Sequence, residues 1–137
     1  MRKLLAITTT LFASVILRQA HEVPFATFVK NPSKFDHQRI TLIGFLEVGG
    51  SENGLWESPD ALRHADLKRI VMLYYPPSRP SFSGTNYPPD IRADRHWVRV
   101  TGIAHAVCYG RLNWKEICME QEKIEVLSGP PSKGRGQ

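Results

Sequence analysis

The chain has 137 residues, 42% of them apolar and 23% charged, with 18 Lys and Arg against 13 Asp and Glu. That is one domain of ordinary globular chemistry, which excludes a multidomain enzyme, a fibrous repeat and a wholly disordered chain. The net charge of +5 sits at the ends: without Arg2, Lys3, Arg18, Lys133 and Arg135, 13 basic and 13 acidic residues remain between His21 and Pro130, a neutral stretch with no basic stripe for nucleic acid.

Met1-Arg2-Lys3 is a short positive segment, and Leu4 to Leu17 is free of charge. Such a run has the length of a signal-peptide core and falls short of the roughly 20 apolar residues a spanning helix needs. Residues 1–20 therefore read as a signal peptide cut after Ala20, with a periplasmic or secreted product; a buried N-terminal helix or an uncleaved anchor is the alternative reading. No cysteine follows the apolar run, which argues against a lipid-modified N-terminus.

Val23 to Lys30 reads as a short apolar helix or extended stretch, and Asn31-Pro32 to Asp36 gathers turn formers. Arg39 to Val48 is the first clear strand: Ile40, Leu42, Leu46 and Val48 share one parity, and Gly44 marks a bend or bulge. Gly49 to Gly54 forms a turn before a second, short strand at Leu55-Trp56-Glu57. Ser58-Pro59-Asp60 starts a helix with a capping serine, a proline at the first helical position and an acid in the first turn. That helix is expected to run to about Leu67 with Leu62 and Ala65 inward. Arg69 to Tyr75 is a third strand, ended by Pro76-Pro77, and Ser78 to Asp94 is a proline-rich surface loop. His96 to Val107 is the fourth strand and Gly110 to Asn113 a turn. Glu116 to Met119 and Lys123 to Leu127 make a fifth strand interrupted near Gln121, and residues 131–137 form a flexible tail.

The expected fold class is thus all-β with one short helix. R-I-T-L-I-G-F from Arg39 and W-V-R-V-T-G-I from Trp97 share an apolar, x, apolar, x, Gly, apolar pattern. A long strand bent at a central glycine can serve both sides of a small barrel. Five strands with two such bends fit a small five-stranded OB-like Greek-key barrel over residues 21–130. The segments Asn31–Leu46 and Leu55–Leu62, with the strand from Trp97, resemble a group of small exported bacterial proteins with OB-like barrels. Their pattern before the first strand reads N-P-x-K-Y-D-G-K-x-V-x-V-x-G-Y, and His37 stands where that pattern has glycine after the aspartate. The resemblance spans about residues 25 to 127 and implies an exported protein of that fold; it carries over no catalytic residue.

The two cysteines, Cys108 and Cys118, flank the last turn and face each other if it is a hairpin, so an exported chain is expected to join them in a disulfide. A zinc site would use His105, Cys108 and Cys118, but on a regular strand His105 and Cys108 point to opposite faces, so a bulge would be required, and no fourth ligand has suitable spacing. The sequence nominates no metal, no cofactor and no catalytic residue: it has no nucleophile elbow, phosphate loop, zinc-protease or dinucleotide motif. OB barrels bind ligands on the face of strands two and three, which here offers Trp56 and Tyr74, with Arg99 on the fourth strand. In so short a domain the plainer reading of Trp56 and Tyr74 is that they complete the core. The expectation is an exported, non-catalytic binding module for an envelope protein or glycan; the alternative is a small envelope enzyme or metal-binding protein using His105, Cys108 and Cys118.

Overall fold

Three long stretches of alternating or continuous apolar sequence, separated by turn formers, must bury their faces on one another, and pairing of their backbones decides how. In a computed structural model, which describes residues 20–49, 53–74, 93–109 and 115–132, they form one mixed sheet. The expected signal peptide up to residue 19, nearly all of the expected proline-rich loop, the expected turn at Gly110–Asn113 and the last five residues lie outside the described residues.

The strands are β1 (His21–Glu22), β2 (Arg39–Glu47), β3 (Asn53–Trp56), β4 (Ile70–Tyr74), β5 (Trp97–Tyr109) and β6 (Lys115–Val126), in the order β1-β2-β3-β4-β6-β5. β5 pairs with β2 as well, so the path through β2, β3, β4, β6 and β5 returns to β2. Within this circuit only β4 and β6 run parallel. The two-residue β1, parallel to β2, is an addition to the five strands expected. There are also two short helices rather than one, α1 (Phe25–Lys30) and α2 (Pro59–Arg63).

The parity expected of the first strand holds. Ile40, Leu42 and Leu46 are fully buried and meet Leu55 of β3, Val71 and Leu73 of β4, Val98, Val100 and Ala104 of β5, and Met119 of β6 in one core. Phe25 and Phe28 from α1 and Phe35 from the following 3-10 turn close this core, Phe28 and Phe35 meeting edge to face at 6.0 Å. Burying Phe28 completely is worth about 2–3 kcal/mol, which explains why a six-residue helix without a side-chain cap persists. The opposite parity carries its own cross-strand pairs: Thr41 faces Thr101 in register, with their hydroxyls 3.0 Å apart, and Phe45 packs edge to face on Trp97.

α2 begins as expected, with Ser58 Oγ accepting the Ala61 N–H at 3.1 Å. It stops at Arg63, however, and its buried residue is Ala61; Leu62 is half-buried and Ala65 is exposed. The chain leaves the helix because Ala65 adopts a positive φ of 48°, after which Asp66 accepts the Lys68 N–H and opens a 3-10 turn into β4.

The fifth expected strand is continuous. Thr101 pairs with Lys123 but Gly102 with Gln121, so Glu122 is an extra residue bulged out of β6, where the sequence suggested a break. Gly102 permits the close approach at this slip: a Cβ there would collide with the Glu120 carbonyl oxygen and lie 3.1 Å from Gln121 Cα. A second slip follows, three steps along β5 from His105 to Cys108 matching two on β6 from Cys118 to Glu116. Gly102→Ala is expected to lower stability by about 1–3 kcal/mol, because backbone rather than a flexible side chain must move; urea unfolding would measure it, and an unchanged midpoint would show that the β5–β6 contact is looser than described.

Candidate functional site

The three ligand candidates read from the sequence do not converge. Trp56 on β3 pairs with Ile70 at the start of β4, whereas Tyr74 lies four residues further along that strand, about 13 Å away. Trp56 is buried, with an indole N–H that has no hydrogen-bond partner, and Gly54 leaves room for it: a Cβ on Gly54 would stand 3.2 Å from Nε1. Tyr74 is half-buried and donates its hydroxyl to Glu116 at 2.9 Å. Arg99 pairs across the sheet with Ile43 and holds Glu125 at 3.3 Å. The Glu125 carboxyl is lowered below its ordinary range by hydrogen bonds from Lys123 and then Arg99, so the Arg99 guanidinium already serves an internal anion.

Cys108 and Cys118 are joined in a disulfide, as expected, with Cα atoms 6.0 Å apart. The bulge between His105 and Cys108 sets this diagonal link: Cys118 sits opposite His105 in register, and Cys108 opposite Glu116. With both sulfurs bonded to each other, the His105–Cys108–Cys118 ligand set loses its two thiolates.

A different group gathers at this end of β5. The antiparallel ladder between β2 and β5 continues past Arg39: Ala104 N–H donates to Gln38 O at 2.9 Å, and His37 N–H donates to Ala104 O at 2.7 Å. This carries the Asp36-His37 dipeptide alongside His105. Asp36 Oδ1 accepts the Ala106 N–H at 2.9 Å, on the first residue of the bulge, and Asp36 Oδ2 lies 3.3 Å from His37 Nε2. The His37 and His105 rings meet edge to face with centroids 5.1 Å apart. One ligand atom each from Asp36, His37 and His105 lies within 4.8 Å of the other two.

Glu120 Oε1 stands 3.2 Å from His105 Nε2, and this buried nitrogen makes no hydrogen bond among the described residues. Asp36 and Glu120 pair with these histidines, and among the described residues neither carboxylate is paired with a lysine or arginine. Two carboxylates and two imidazoles thus share one corner of the molecule.

His37 reaches its place at a conformational expense. Its φ is +60°, in the left-handed region that glycine occupies freely, and a non-glycine residue there gives up about 1 kcal/mol. The chain carries an imidazole at this position, and it touches a second imidazole. No sequence spacing signals this cluster, since residues 36 and 37 meet 105 only through the β2–β5 register. Of the other three histidines, His21 lies exposed on β1, while His64 Nδ1 is 2.9 Å from Asp60 O and His96 Nδ1 is 2.7 Å from Asp94 O.

No protein-family model matches the chain, and no curated protein sequence is significantly similar to it. Two outcomes check the corner's architecture. Asp36→Ala should lower stability by about 1–2 kcal/mol in urea unfolding, because it strands the Ala106 N–H. Replacing both Cys108 and Cys118 by serine should remove about 2.8 kcal/mol, the chain-entropy value for the loop they close; a reducing agent should then have no further effect on the variant.

Proposed function

We propose that this protein is an exported, non-catalytic binding module built on an OB-like barrel. The observation that carries the reading is the closed circuit of strand pairings with its single parallel pair, β4 with β6. A five-stranded Greek-key barrel requires this kind of closure, and the pairing of β2 with β5, the two long strands with a central glycine, completes it. The disulfide supports export, because such bonds persist in oxidising compartments, as does the charge-then-apolar pattern of residues 1–20. Among the described residues, no helix is long and apolar enough to cross a membrane.

Binding rather than catalysis is favoured because, among the described residues, no serine, threonine or cysteine nucleophile stands beside a base that is itself oriented by a third group. We read the partner of this neutral domain as an envelope protein or glycan; of the three sequence candidates, Trp56 is buried, and the half-buried Tyr74 and Arg99 are left to meet it. The competing reading, an envelope enzyme or metal protein using His105, Cys108 and Cys118, keeps only His105 once the disulfide forms.

Intact mass of the protein recovered from the producing cell, unreduced and then alkylated under denaturing conditions, tests this. The expected product lacks residues 1–20, is about 2 Da lighter than the dithiol and takes no alkylating agent. A full-length chain with two alkylatable thiols would overturn the export reading.

A further inference from the structure

We propose that Asp36, His37 and His105 bind one divalent transition-metal ion of borderline character, such as Zn2+. The proposal rests on the binding-module reading and gives that module a ligand.

The donor set suits the ion. Imidazole nitrogens with a carboxylate oxygen, and no available thiolate, form the mixed N/O site that zinc, nickel and copper accept and that calcium and magnesium do not favour. The spacing suits it too. Ligand bonds of about 2.0–2.1 Å in tetrahedral geometry separate neighbouring donors by about 3.4 Å; Asp36 Oδ2 and His37 Nε2 stand 3.3 Å apart, and the His105 donor lies within 4.8 Å of both. The His37 side chain is exposed, so its ring is free to rotate toward an ion.

Each donor is held from behind. Asp36 spends Oδ1 on the Ala106 N–H, which leaves Oδ2 directed at the cluster. The His37 backbone is fixed by its bond to Ala104 O, and His105 lies in the β5–β6 ladder, opposite a disulfide-bonded cysteine. Glu120, 3.2 Å from His105, adds a second negative charge that no lysine or arginine among the described residues neutralises, so the corner attracts a cation. The His37 ring faces that of His105, with centroids 5.1 Å apart, and its Nε2 lies 3.3 Å from Asp36 Oδ2.

The test is calorimetric titration of ZnCl2 into the unreduced, disulfide-bonded protein after chelator treatment, with the thermal midpoint followed in parallel. The expected result is one ion per chain with micromolar or tighter affinity and a midpoint that rises with zinc concentration. His37→Gly relaxes the backbone while removing a ligand, so its metal-free midpoint should equal or exceed that of the parent while its zinc-dependent rise disappears. Asp36→Asn keeps an acceptor for the Ala106 N–H and should weaken zinc at least about tenfold, as should His105→Gln. Absence of saturable one-to-one binding, or zinc affinity unchanged in both His37→Gly and Asp36→Asn, would overturn the site. So would an equal response to CaCl2. Because the sample is first shown by mass to be leaderless and oxidised, a negative titration overturns the metal site and leaves the module reading standing, whereas failure of the mass criteria overturns the module reading itself.

Discussion

The antiparallel ladder between β2 and β5 is the constraint on which the rest of the structure depends. It joins residues about sixty positions apart, from Arg39 with Ile103 to Phe45 with Trp97, and it closes the circuit of strands. Without it, β2 would present a long apolar edge on one side and the core residues Ile40, Leu42, Val98 and Val100 would face solvent. Such a contact is expensive in chain entropy, and its return comes from burying both apolar faces at once. The Thr41–Thr101 pair and the Phe45–Trp97 contact fix its register on the opposite face.

The same ladder creates the His–Asp corner. Two backbone bonds beyond the last strand residue, between Ala104 and the residues Gln38 and His37, bring the turn at Asp36 onto the start of the β5 bulge. A bulge leaves backbone groups outside the ladder, and one of them, the Ala106 N–H, is taken by Asp36. The turn, the bulge and the disulfide are therefore mutually dependent. The bulge offsets Cys108 so that it reaches Cys118 diagonally, the disulfide holds the two strands at that offset, and the aspartate satisfies what the offset exposes.

Glycine and its absence work in opposite directions in this framework. At Gly102 the side chain is missing because the Glu120 carbonyl occupies its space, and the β5–β6 slip depends on that. At His37 a side chain is present where the backbone would favour none. The first case concerns packing alone. The second is a surface position, exposed like Ala65 and Arg95, which also hold a positive φ.

Much was legible in the amino-acid sequence alone, and the reason is local. Parity along Arg39–Val48, the serine–proline–aspartate helix start, the continuous apolar run of β4 and the two cysteines across a turn are all set by residues within one element or one loop. The end of α2 was not legible, because a positive φ at Ala65 overrode the helical pattern, and neither was the continuity of β6, because a bulge at Glu122 mimics a break. Nor was the His–Asp corner. His37 and His105 carry no mutual spacing, and parity counting even set His105 apart from its neighbours on the strand. Only strand register, a long-range property decided by which apolar faces can be buried together, puts those imidazoles and carboxylates in one place.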